Sequence, residues 1–211
     1  MDTATRTVHA KRSMGSPARA LARVYECIMH RDLRDALIRV ASPAVTIALT
    51  LAIARARRLT LVNDLGLRAP PPGQAALWSL VFVALAVGQE VAGEALGWPA
   101  PEPWRDKYAG PALAARVAGI VVLAPVAEEL LFRGLLFRVI ARSPLKQAGA
   151  IAVTAALFAA SHLQYDRRAL GLILLEGVCY GAIRASTGST LLTMGIHAAA
   201  NGYAVYQRIS G

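Results

Sequence analysis

The sequence predicts an all-α protein: a polytopic membrane bundle of about six transmembrane helices, preceded by a basic amphipathic helix. Three observations carry this. Of 211 residues, 55% are hydrophobic and 17% are charged, where soluble domains average about 25% charged residues. The mean hydropathy is +0.44. The charges gather in short clusters between apolar runs of helix length, the pattern of spans and their flanks. This length suits one domain, with a tail and interfacial helix over 1–40 and a transmembrane bundle over 41–211.

Residues 1–16 are polar and small, and disorder is expected there. Over 18–40, Leu21, Val24, Tyr25, Ile28, Leu33, Leu37 and Val40 recur near helical spacing, with Arg19, Arg23, Arg31, Arg34 and Arg39 between them. Such a helix lies on a membrane surface. The apolar run 41–54 is short for a span and reaches about 20 residues only from Leu37 onward, with Arg39 snorkelling. The triple proline Pro70–Pro72 closes the following loop, and 75–97 reads as the second span. Glu90 and Glu94 lie one turn apart near its end and are expected at the interface. Trp98 and Trp104, in the proline-rich loop 98–111, suit the headgroup layer.

The third segment, 112–141, contains Pro125, which removes a backbone hydrogen bond and favours a kink or break, dividing it into 112–124 and 126–141. Three further spans follow at 147–162, 169–184 and 188–206; the second of these carries Glu176 and Cys179. Small residues crowd the later spans (Ala155, Ala156, Ala159, Ala160; Ala198–Ala200), so helices can approach closely. An even span count places both termini on one side, and the basic residues of 1–39 tip that side towards the cytoplasm.

The formal net charge of +10 invites nucleic acid as a partner. Lys and Arg instead flank the apolar runs, where anionic headgroups hold them, and no soluble basic binding motif is present. Membrane lipid is therefore the expected partner and nucleic acid is not. Cys27 and Cys179 show no CxxC or Cys-His spacing, so neither a disulfide framework nor a structural zinc site is indicated. No apolar core and no cleavage site precede Arg39, so the N-terminus does not read as a signal peptide.

Ionisable groups within an apolar span cost about 2.5–3.5 kcal/mol each on insertion scales. The third segment carries Glu128, Glu129 and Arg133 within six residues, a pattern EExxxR. Glu129 and Arg133 are i and i+4 and can pair along one face. Glu128 points about 100° away, free to act as general base for water; the reverse assignment of the two carboxylates stays open. Phe158 and His162 form FxxxH, and His197 and Asn201 form HxxxN, each pair on one helix face. One intramembrane histidine is commonly a helix-to-helix hydrogen bond. Two, with an asparagine and a glutamate pair on three helices, point to one polar site. A carboxylate that deprotonates water, with His and Asn donating to an oxyanion, suffices to hydrolyse an amide. Alternatively Glu128, His162 and His197 would bind a metal, zinc being the natural choice, and activate its water. HExxH is absent, and no Ser or Cys stands in triad spacing.

The ordered set EExxxR, FxxxH and HxxxN resembles that of the CPBP family of intramembrane proteases, also called the type II CAAX prenyl endopeptidase and Abi family. The likeness covers roughly residues 112–206. It implies an all-helical membrane protein of the cell membrane, bacterial by its type, with a cavity open to one side. It implies catalytic roles for Glu128, His162, His197 and Asn201, and support from Glu129, Arg133 and Phe158. It leaves metal dependence open. The implied substrate is a membrane-associated peptide or protein, prenylated in eukaryotic members. The chain is small for the family, which makes an accessory membrane protein an expected partner. Two other readings are a non-enzymatic immunity or scaffold protein that keeps the same bundle, and a proton-coupled carrier, although no repeat symmetry supports the latter.

Overall fold

The structure is a computed structural model that describes residues 17–104 and 108–210, with side chains from Arg34 onward. The disorder expected over 1–16 lies outside the described residues, as do the side chains of the amphipathic pattern up to Leu33. The described chain is helical, with no strand.

Helix α1 (Pro17–Ala56) is a single helix of 40 residues. It runs without interruption through the expected junction between an interfacial helix and a span. Pro43 lies inside it and frees the carbonyl of Arg39, four residues back. Helix α2 (Pro72–Ala95) starts on the prolines, whose fixed φ and missing N–H suit a first turn. Then comes one helical run in five pieces: α3 (Gly110–Ala118), the wide turn π1 (Gly119–Leu123), α4 (Ala124–Glu129), the wide turn π2 (Leu130–Leu136) and α5 (Phe137–Ala141). Here the expected break at Pro125 does not occur. The backbone switches to i→i+5 bonding before the proline and stays helical past it. Helices α6 (Lys146–Ala160), α7 (Arg167–Thr187) and α8 (Thr190–Ser210) complete the bundle. The Asp166 carboxylate caps α7 by accepting from the N–H groups of Arg168 and Ala169.

Three helical segments are long and apolar enough to cross a membrane: Arg34–Ala56, Pro72–Ala95 and Arg167–Thr187; Lys146–Ala160 is a shorter apolar helix. The first of these exceeds the 41–54 run because α1 continues before Ala41 without interruption. The segment 112–141 misses a simple length criterion because its wide turns divide it. The surface of α2 is almost wholly apolar and exposed, with Leu77, Leu80, Val83, Val87 and Val91 all more than half accessible. That face suits lipid rather than water. Helix α2 is attached to α7 by Phe82, which stacks on Tyr180 at 5.4 Å, and by Trp78 Nε1, which donates to Ser186 Oγ at 2.9 Å.

Helices α6 and α7 pack most closely. A Cβ on Gly177 would lie 3.2 Å from Ala155 Cα, so the small-residue pattern does permit close approach here. Helix α1 leans on π1 in the same way. A Cβ on Gly119 would meet the Arg39 carbonyl, the one freed by Pro43, at 2.8 Å.

Candidate active site

The three motifs meet at one end of the bundle. Glu129 and Arg133 are both fully buried, and Arg133 Nη1 donates to Glu129 Oε1 at 3.0 Å. The second Arg133 nitrogen, Nη2, donates to the carbonyl of Gly177 on α7 at 2.9 Å. Its guanidinium also sits over the rings of Phe158 (4.7 Å) and Tyr180 (5.2 Å). Ring faces carry negative potential, so this box offsets some of the cost of burying the cation.

His197 lies between the two carboxylates. Its Nδ1 is 3.1 Å from Glu129 Oε1, and its Nε2 is 3.8 Å from Glu128 Oε2. The first is a hydrogen bond in which an Nδ1–H donates to the carboxylate. The second is too long for one, so Nε2 faces the Glu128 side unbonded. Tyr180 stacks on the imidazole at 5.1 Å, which fixes the ring plane.

His162 follows the end of α6 rather than lying within it: the helix stops at Ala160. The i, i+4 relation to Phe158 still holds, because His162 Nδ1 lies 2.8 Å from the Phe158 carbonyl, which accepts its proton. That leaves Nε2 free as well. Phe158 is the hub of the site. Its ring lies 4.8 Å from His162, 5.7 Å from His197 and edge-on to Phe132 at 5.6 Å. Asn201 Nδ2 donates to the carbonyl of Ile120 in π1 at 2.8 Å.

Glu128, His162, His197 and Asn201 all line one cavity of about 940 Å³, together with Phe158 and Glu176. That volume is within the range of ligand pockets. Its outer wall comes from α1 around Arg39 and from Trp104, Arg116 and Arg208. Glu129 and Arg133 lie behind the wall. Glu128 differs from its neighbour in every respect: its side chain is 27% exposed where that of Glu129 is 0%, and no hydrogen bond to it is found among the described residues.

Glu90 and Glu94 stand outside the cavity, and Glu90 Oε1 accepts from Gln207 Nε2 at 2.8 Å. Trp104 is buried within the protein, with the Arg116 guanidinium 4.7 Å and that of Arg208 5.6 Å from its ring. Glu176 and Tyr180 are the site residues that received no role from the sequence. The available signal was their i, i+4 spacing within an apolar span.

Among the described residues, no three His, Cys, Asp or Glu side chains are grouped to hold an ion.

Comparison with curated proteins and with solved structures gives no match. Residues 110–203, which hold all three motifs, match the family model described as Type II CAAX prenyl endopeptidase Rce1-like, the endopeptidase family that the motifs resemble.

Proposed function

We propose that the protein is an intramembrane endopeptidase in which Glu128 activates water to cleave a peptide bond of a membrane-embedded peptide or protein. The observation that carries the reading is the contrast between two adjacent carboxylates. Glu129 is buried and committed to Arg133 and His197, while Glu128 faces the cavity without a hydrogen bond.

In this reading a water rests on Glu128 Oε2 beside His197 Nε2. Glu128 takes one proton from it. The resulting hydroxide oxygen attacks the carbonyl carbon, and the carbonyl oxygen becomes an oxyanion. As the C–N bond breaks, Glu128 returns the proton to the departing amine nitrogen. The rings of His162 and His197 each have Nδ1 occupied, so Nε2 is the atom each turns to the reacting group. It donates to the oxyanion in the protonated ring. The buried Glu129 keeps His197 in that orientation.

The wider architecture follows the same reading. Residues 41–211 form the bundle in the cell membrane, with 112–206 as catalytic core. The remaining helical runs, Gly110 to Ala141, α6 and α8, lie in the bilayer beside the three long apolar segments and bring the count to six.

The test compares peptide termini in cells carrying the wild-type protein and Glu128→Ala, with protein levels matched. Termini present only with the wild type are expected. Unchanged termini with Glu128→Ala would sink the proposal, and a phenotype fully maintained by Glu128→Gln would favour the scaffold reading.

A further inference from the structure

The backbone just before the glutamate pair leaves one carbonyl without a donor. The N–H of Ala124 bonds to Gly119 O, five residues back. In an α-helix that N–H would go to Ile120 O. In the wider register the donor for Ile120 O would be residue 125, and residue 125 is proline, which has no N–H. The side chain of Asn201 supplies the missing donor, from Nδ2 at 2.8 Å. Within a bilayer such a carbonyl has no water to turn to.

We propose that Asn201 is a positioning residue: by satisfying Ile120 it holds the wide turn π1 in place and so aims Glu128, three residues past Pro125, into the cavity. This rests on the reading of Glu128 as the base. Reverting a wide turn to α geometry removes one residue from the turn and rotates everything after it by about 100°. That is the angle between Glu128 and Glu129, so a slip would turn Glu128 away from the cavity. Two helices clamp the turn. Helix α8 does so through Asn201. Helix α1 does so through the Arg39 carbonyl resting on Gly119. The HxxxN spacing acquires a concrete meaning: one face of α8 grips the glutamate helix at Glu129 through His197 and at Ile120 through Asn201.

A double-mutant cycle on the full-length protein tests this. The variants are Asn201→Ala, Pro125→Ala and the two combined. Each is assayed in liposomes on a transmembrane peptide carrying the cleavage sequence found by the termini comparison, and each is melted in detergent. Asn201→Ala is expected to lower kcat about 100-fold, as a small misplacement of a reacting group does, with KM nearly unchanged. In the Pro125→Ala background it should cost little further, because the backbone N–H restored at position 125 then serves the Ile120 carbonyl. The Tm should show the same coupling. An equal loss of kcat in both backgrounds would mean that Asn201 acts on the reacting atoms, and would overturn the proposal. So would a fall in Tm with kcat intact. If Pro125→Ala is itself inactive, the Tm cycle decides the hydrogen bond, and Asn201→Asp decides its effect on rate. That variant keeps the size but loses the donor, and a wild-type kcat for it would also overturn the proposal. Failure of the Glu128 reading shows separately, as normal cleavage by Glu128→Ala.

Discussion

The two ends of the bundle use the same kinds of side chain to opposite effect. At one end the loop between α1 and α2 is tied down by a set of hydrogen bonds centred on Asp64, Leu65 and Arg68. Asp64 accepts from the Thr60 N–H at 2.8 Å, from Arg138 Nε at 2.7 Å and from Arg142 Nη2 at 3.2 Å. Thr190 Oγ1 donates to Leu65 O at 2.6 Å and Ser189 Oγ to Arg68 O, also at 2.6 Å. Arg184 reaches across to the carbonyls of Arg133 and Asp64. At the other end Glu128, Glu176 and the two histidines line a cavity, and no hydrogen bond to either carboxylate is found among the described residues. A satisfied polar group adds rigidity, and an unsatisfied one in a cavity is available for chemistry. The stapled end fixes the helix positions, so the open end can leave groups free without collapsing.

The largest break in this contrast should come from the ion pair that joins the two ends. Arg133 bonds to Glu129 at the site, and its own carbonyl accepts from Arg184 at 3.0 Å. Arg133→Ala leaves Glu129 buried with the His197 hydrogen bond but without its paired cation, a change that destabilises by about 3–5 kcal/mol. Unfolding in detergent should show that loss together with loss of cleavage. Glu128→Gln, by contrast, should lose cleavage while melting near the wild type, since no hydrogen bond holds that carboxylate.

A smaller effect belongs to the stapled end alone. Thr190 is fully buried, and so is Leu65. Thr190→Val removes the donor to the Leu65 carbonyl and leaves that oxygen unpaired, for a loss of about 1–3 kcal/mol. Cleavage per folded molecule should stay near wild type. A large fall in kcat without a fall in Tm would show that the loop acts on the site directly, and would erase the distinction between the ends.

The three motifs were legible because each is an i, i+4 pair, and helical periodicity puts such pairs on one face whatever the tertiary fold. That the faces converge could be read only from the cost of burying so many polar groups. Other features were beyond sequence reasoning for definite reasons. Pro125 announces a lost donor but not how the neighbouring donors reroute, so a break was expected where π1 formed. The staple joins Asp64 to Arg138 and Leu65 to Thr190, pairs too far apart in the chain for any local pattern to link. Asn201 was legible as a site residue, but its bond to Ile120 depends on a register change that composition does not encode.

The smallest expected effect is also the one that pH can isolate. Asp64 lies outside the spans, in the loop. The Thr60 backbone N–H, and then Arg138, hold its carboxyl at about 2, below its ordinary 3.8. A carboxyl lowered on folding contributes stability above its unfolded value and loses that contribution as pH falls through its folded one. The staple should therefore be intact at neutral pH and weaken between about pH 4 and pH 2. Asp64→Asn should lower Tm modestly at pH 7, because solvent reaches the network and screens it. Over the acid range the gap between variant and wild type should close, with the two converging near pH 2. A gap that persists below pH 2 would mean that the loop is held by Thr190 and Ser189 rather than by charge. The two ends would then differ in hydrogen-bond satisfaction alone.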